Sequence, residues 1–149
     1  MSMRARRWIC GAVLLVALTP AGAADFRSVA DNGAVLYDAP SVKAKKLYVI
    51  GRDYPVEVVV VVEGWIKIRD AGGELTWIES KNLSQRRTVM VKVRLADIRQ
   101  TAADNAPLVF QAEQAVLLEL VELTGTGWAR VAHRDGQSGY IRLNQVWGV

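Results

Sequence analysis

His133-Arg134-Asp135 has the residue order that opens a phosphoryl-transfer loop, in which the aspartate acts as base. That chemistry needs an asparagine five positions after the aspartate, and Tyr140 stands there; no glycine-rich loop or strand lysine accompanies it. Asp135-Gly136 reads instead as the turn of a β-hairpin. His133 is the only histidine, and parity along its strand puts it on the inward side with Val131. Metal sites without thiolates need several histidines or a dense set of carboxylates, whereas Asp70, Glu74 and Glu79 are spread over turns and solvent faces. No catalytic residue, metal ligand or cofactor is therefore expected. The groups left with something to offer are aromatic: Tyr37, Tyr54, Trp65, Trp77, Trp128 and Tyr140, whose rings supply contact area at low entropic cost.

Those rings sit in a repeat. Glu63-Gly64-Trp65-Ile66-Lys67-Ile68 is echoed by Thr126-Gly127-Trp128-Ala129-Arg130-Val131, and Trp77-Ile78 by Tyr140-Ile141, at an offset of 63 residues. Before the Gly-Trp pair the offset is 62, as Glu57 with Glu119 and Ala34 with Ala96 show, which places one inserted residue near Thr124-Gly125. A period this long fits two copies of one small all-β domain rather than a solenoid. Strands are expected in the first copy at 34–37, 47–50, 56–62, 65–69 and 75–79. The second copy should place them at 97–99, 109–111, 115–123, 128–133 and 137–141. Ser84-Gln85-Arg86-Arg87 joins the copies and leads into Thr88 to Arg94, where Val89, Val91 and Val93 alternate with other residues as in a half-buried strand. The join is too short for a flexible tether, so the two copies should pack on each other, and Trp147 should fold a short tail back on the body.

Residues 1–24 read as an export signal. Arg4, Arg6 and Arg7 precede an apolar run from Ile9 to Leu18, then Pro20 and Ala21-Gly22-Ala23, with cleavage expected after Ala23 or Ala24. The run is too short to span a bilayer, so no membrane span is expected after cleavage. The segment holds 3 of the 19 basic residues and none of the 15 acidic ones, leaving 16 against 15. That balance argues against a nucleic-acid partner, which requires excess positive charge on the folded part. Cys10, the only cysteine, lies in the same segment, so residues 25–149 have no disulfide or thiol chemistry and must be held by their cores.

Parity then assigns the tryptophans a direction. In Trp65-Ile66-Lys67-Ile68-Arg69 the isoleucines take the core, so Trp65 stands outside with Lys67 and Arg69. Ala129 and Val131 likewise put Trp128 outside with Arg130. Trp77 and Tyr140 fall opposite Ile78 and Ile141. Two outcomes follow: outward rings that wait for a ligand, or rings covered by a loop or by the other copy.

Pro40-Ser41, Pro55-Val56-Glu57-Val58, Gly64-Trp65, Lys67-Ile68-Arg69-Asp70, Gly73-Glu74, Trp77-Ile78 and Leu83 together resemble the bacterial SH3-like (SH3b) domain. The whole order, with a second such domain and the terminal Val146-Trp147-Gly148-Val149, is similar to exported tandem SH3-like proteins. The resemblance implies an all-β chain of two five-stranded SH3-like barrels, residues 25–84 and 85–149, behind a signal-peptide helix at 1–24. It also implies a non-catalytic protein of the periplasm or cell envelope, monomeric with two packed domains. Its partner would be peptidoglycan peptide or an envelope protein, held on Trp65 and Trp128 with Tyr37, Tyr54 and Trp77 along the rim of the first groove, or along an exposed strand edge. The alternative is a scaffold whose copies hide each other's rings. Val35-Leu36-Tyr37-Asp38 is similar to the Ala-Leu-Tyr-Asp of polyproline-binding SH3 domains, but Ser41 to Lys46 is basic where those domains carry an acidic loop. The first copy has more aromatic residues than the second (Tyr37, Tyr48, Tyr54, Trp65 and Trp77 against Phe110, Trp128 and Tyr140), so it is the expected binder if only one copy binds.

Overall fold

The computed structural model describes residues 22–149, so the export signal expected at 1–24 lies outside the described residues up to residue 21. Fourteen strands follow with no α-helix among the described residues. The first sheet contains β1 (Phe26–Val29), β2 (Ala34–Tyr37), β3 (Lys46–Ile50), β4 (Pro55–Val62), β5 (Trp65–Arg69), β6 (Leu75–Glu79) and β7 (Leu83–Ser84). The second contains β8 (Thr88–Val91), β9 (Leu95–Arg99), β10 (Leu108–Glu113), β11 (Leu117–Leu123), β12 (Trp128–Ala132), β13 (Ser138–Arg142) and β14 (Val146–Trp147). Their orders are the same, β3-β2-β6-β5-β4-β1-β7 and β10-β9-β13-β12-β11-β8-β14. Each sheet thus has seven strands where five were expected. β1, β7 and β14 are additional, and β8 is the strand read over 88–94; all four are short and flank the sheet, β1 and β8 pairing with the long strands β4 and β11, and β7 and β14 pairing in turn with them.

Period-two burial builds both cores. Ile66 and Ile68 of β5, Ile78 of β6, Leu36 of β2 and Val56 of β4 are fully buried, and Ala129, Val131, Ile141, Ile98 and Leu118 do the same in the second sheet. Both long strands break register at one equivalent place, between Val58 and Val60 and between Leu120 and Glu122. The bulge twists the strand end away from the core. An unbroken valine run normally marks a strand buried on both faces, yet Val59 to Val62 stand exposed beyond the bulge. The inserted residue of the second copy is in the turn between β11 and β12, where Gly125-Thr126-Gly127 replaces Glu63-Gly64. One volume trade separates the two cores. Thr76 is buried with its hydroxyl unpaired, whereas Gly139 stands at the matching place because a Cβ there would fall 2.6 Å from Ile98 Cγ2.

The sheets meet along the join. Thr88 donates its hydroxyl to the Asp53 carbonyl at 2.7 Å, and Ser28 donates to the Arg86 carbonyl at 2.7 Å. Arg86 reaches Asp53 at 3.3 Å and Glu119 at 2.8 Å, so one guanidinium ties a carboxylate of each sheet. Trp147 meets Phe26 edge to face at 5.1 Å, and Arg87 lies 5.7 Å from the Phe26 centroid while donating to the Gly148 carbonyl at 2.9 Å. Gly148 is at φ 116°, and a Cβ there would approach the Thr88 carbonyl to 2.7 Å, so the tail can close on the join only without a side chain.

Asp53 and Ala115 are the non-glycine residues with positive φ, at 66° and 69°, and they occupy equivalent turns. Each amide is fixed to the end of the neighbouring flanking strand, Asp53 to the Val29 carbonyl at 2.9 Å and Ala115 to that of Val91 at 2.8 Å. The turn therefore imposes left-handed backbone on whatever residue it holds, and alanine tolerates that less well than aspartate. Ala115→Gly is expected to stabilise the chain by about 1 kcal/mol, since the exposed methyl gives up little packing. Thr76→Val should add a similar amount, about 1 kcal/mol, by removing an unpaired buried hydroxyl at nearly constant volume. Chemical denaturation measures both, and an unchanged or lower midpoint would contradict the strain and desolvation assigned to them.

Candidate binding face

β5 must turn Ile66 and Ile68 inward, so Trp65 and Lys67 stand on the outer face. The ladders then set Lys46, Tyr37, Trp77 and Lys67 in register across β3, β2, β6 and β5. Tyr37 meets Trp65 edge to face, with centroids 5.2 Å apart, and the Lys67 ammonium lies 5.8 Å from the centre of the Trp77 ring. Trp65 and Trp77 are half-buried, while Tyr37 is only 5% exposed. Tyr37, expected on the rim, is thus covered and braces the Trp65 ring. Lys43, Lys45 and Lys46 are exposed beside the row. Among the described residues, neither Lys46 nor Lys67 has a carboxylate within ion-pair distance.

Tyr54 does not join this face. It precedes β4, packs on the first core, and lies near Asp70 at the far end of β5 from Trp65. Burial, followed by the Asp70 charge, raises its phenol above the usual range.

The matching surface of the second sheet is closed. Tyr140 stands at the place of Trp77, in register with Arg99 and Arg130. Arg99, which replaces Tyr37, is held by Asp97 at 2.8 Å and by the Ala106 carbonyl at 2.8 Å. Arg142, which replaces Glu79, lies 4.7 Å from the centroid of Trp128. Asp104 fixes it through a fork, accepting from Nε at 2.8 Å and also from Nη2. That hydrogen bond, with the arginine's charge, holds the Asp104 carboxyl below its usual range. Trp128 is on the outer face as parity requires, but it is only 6% exposed, with Arg142 of its own copy lying over the ring. An open Trp128 ring is therefore not what this fold presents.

The flanking lysines and the Arg142 clamp were absent from the sequence-based site. The clamp has a sequence signal, the exchanges of Tyr37 for Arg99 and of Glu79 for Arg142 at the repeat offset. Its partner Asp104 is a further such exchange, standing where the equally long loop of the first copy carries the exposed Val42. His133 pairs with Asp135 at 3.0 Å inside the β12–β13 turn. Asp135, which accepts first from the Gln137 amide and side chain and then from His133, has its carboxyl lowered to about 2. Among the described residues no group of three or more His, Cys, Asp or Glu side chains could hold a metal ion, and no helix is long and apolar enough to cross a membrane.

Arg142→Ala is expected to uncover Trp128 and to cost about 0.5–1 kcal/mol of stability through the lost cation–π contact. The readout is iodide quenching and emission wavelength in a chain whose other tryptophans are phenylalanine. Unchanged quenching would show that the arginine is not what protects the ring.

The sequence matches the bacterial SH3 domain twice, over residues 30–85 and 92–148. Solved structures with similarity include NlpC1 from Trichomonas vaginalis, at 20% identity over 91% of this chain and 49% of that one, with a TM-score of 0.39. NlpC2 from Trichomonas vaginalis follows at 17% identity, 84% and 48% coverage and a TM-score of 0.36. An NlpC/P60 family protein from Bacillus cereus is 17% identical, with 82% and 55% coverage and a TM-score of 0.34. The chain spans about half the length of each. No curated protein matches. With two tandem matches that cover most of its length, the chain belongs to the bacterial SH3 domain family.

Proposed function

We propose that this protein is a non-catalytic binding module of the cell envelope, which takes cell-wall peptide on the outer face of its first copy. The observation that carries the reading is the row Lys46–Tyr37–Trp77–Lys67 with Trp65 beside it, a pair of half-buried indoles on a rigid sheet flanked by uncommitted ammonium groups. An indole braced by a buried tyrosine loses little freedom on binding. The lysines favour a ligand that carries carboxylates among its apolar groups. In this reading residues 1–24 direct export to the periplasm or cell envelope, and residues 25–84 and 85–149 act as two small SH3-like barrels packed in one monomer. The first supplies the binding face, and the second serves as its buttress.

A scaffolding role is the second reading, with an envelope protein as partner. The junction of Phe26, Trp147, Arg86 and Arg87 favours it, because it fixes the copies as one body. The readings differ in what the first copy's indoles do.

The test is co-sedimentation of residues 25–149 with purified cell-wall sacculi. The wild type should pellet, and Trp77→Ala or Trp65→Ala should weaken binding about tenfold or more, as removal of a central aromatic contact does. Trp128→Phe should leave binding unchanged. A wild type that stays in the supernatant would remove the cell-wall ligand, and equal pelleting of all variants would remove the aromatic face.

A further inference from the structure

A second concave surface lies away from the indole face, at the junction of the sheets. It is a cleft of about 340 Å³, in the range of small-ligand sites. Arg52 and Asp53, in the turn before β4, form one wall with Arg86 of the join. The start of β11 and the turn after β12, with Arg134 at its tip, form the other.

The charges in this cleft do not balance. Its two carboxylates, Asp53 and Glu119, are both taken by Arg86. His133 is engaged with Asp135. Arg52 and Arg134 are exposed, come from different copies, and have no carboxylate within ion-pair distance among the described residues. Between them the surface is apolar, made by Ala115, Val116, Leu117 and Ala132.

The backbone narrows the choice of anion. Tetrahedral oxyanions are usually cradled by free amides as well as by cations. Here the amides of Asp53, Ala115, Val116 and His133 are spent on the carbonyls of Val29, Val91, Glu113 and Gln137, and those of Arg52 and Arg134 lie on opposite walls, so no run of free amides forms a cradle. What remains is two guanidinium forks above an apolar strip. A guanidinium matches a planar carboxylate with two parallel hydrogen bonds. We propose that this cleft binds a short acidic peptide, with its carboxylates on Arg52 and Arg134 and its small apolar side chains on the strip. Such a ligand touches both copies at once, so a single-copy fragment has only half of the site. The site is separate from the indole face and stands or falls independently of it.

The experiment is a backbone amide NMR titration of residues 25–149 at low salt. The probe is the peptide acetyl-Ala-Glu-Ala-Ala with a free carboxyl terminus. The amides of Arg52, Ala115 and His133 should move with it. The controls are the glutamine and carboxamide form of the same peptide, and inorganic phosphate. Arg52→Ala and Arg134→Ala should each weaken binding about fivefold or more, and salt near 0.5 M should do likewise, as for exposed charge pairs. Both arginines are exposed, and the unchanged amide spectrum of each free variant verifies that it is folded. Trp77→Ala should bind the probe as the wild type does, which separates this site from the wall-binding face. No shift at these amides, equal shifts with the uncharged peptide, stronger binding of phosphate, or arginine variants that bind normally would each overturn the proposal.

Discussion

A β-strand has two faces, and in β5 and β12 the core claims one of them completely. Ile66 and Ile68, and Ala129 and Val131, are buried to the last few square ångströms, so the residues between them have no freedom to turn inward. Trp65 and Trp128 are held outside by that claim alone. An indole on an outer face must then be covered by something, or remain available. The two halves of this chain meet that requirement in opposite ways.

The first copy braces Trp65 with Tyr37 and leaves lysines on either side of the row. The second exchanges the tyrosine for Arg99 and the glutamate at position 79 for Arg142, then uses Asp104 to fix Arg142 over the ring. Each change is small, and each uses a guanidinium where the other copy has a ring or a carboxylate. Together they convert a contact surface into a sealed one. The sealed copy contributes elsewhere. Its tail supplies Trp147 to Phe26 and Gly148 to Arg87, and its long strand supplies Glu119 to Arg86. With no cysteine in residues 25–149, these contacts and the two cores hold a pair of sheets each near the lower size limit for independent folding.

Much of this could be read before any coordinates. The alternation in β5, β6 and β12 is strict, so strand bounds and core residues there match closely, as at 34–37, 65–69 and 75–79. The flanking strands escaped. Phe26 to Val29 contains Arg27 and Ser28 with no alternation, and β7 and β14 are two residues each, too short for any period. Their pairing is decided by the long strands they lie against. The strand read over 88–94 stops at Val91, because the Lys92 amide turns away to the Gln145 carbonyl. Which rings are open was not legible from parity, because parity gives a direction and says nothing of what lies above. That depended on Asp104, which stands where the equally long loop of the first copy has Val42, and on the Tyr37 ring lying against Trp65, which leaves Tyr37 buried. Tyr54 was misplaced for a similar reason: it flanks the same strands in sequence but belongs to the opposite end of β5.

In the proposed function the open indoles of the first copy take cell-wall peptide. The most direct measurement follows the indole N–H signals of Trp65, Trp77, Trp128 and Trp147 by NMR while soluble cell-wall peptide fragments are added to residues 25–149. Trp65 and Trp77 are expected to shift in a saturable manner, while Trp128 under Arg142 and Trp147 against Phe26 stay in place. Movement of Trp128 in step with Trp65, or no movement of any of the four, would contradict it.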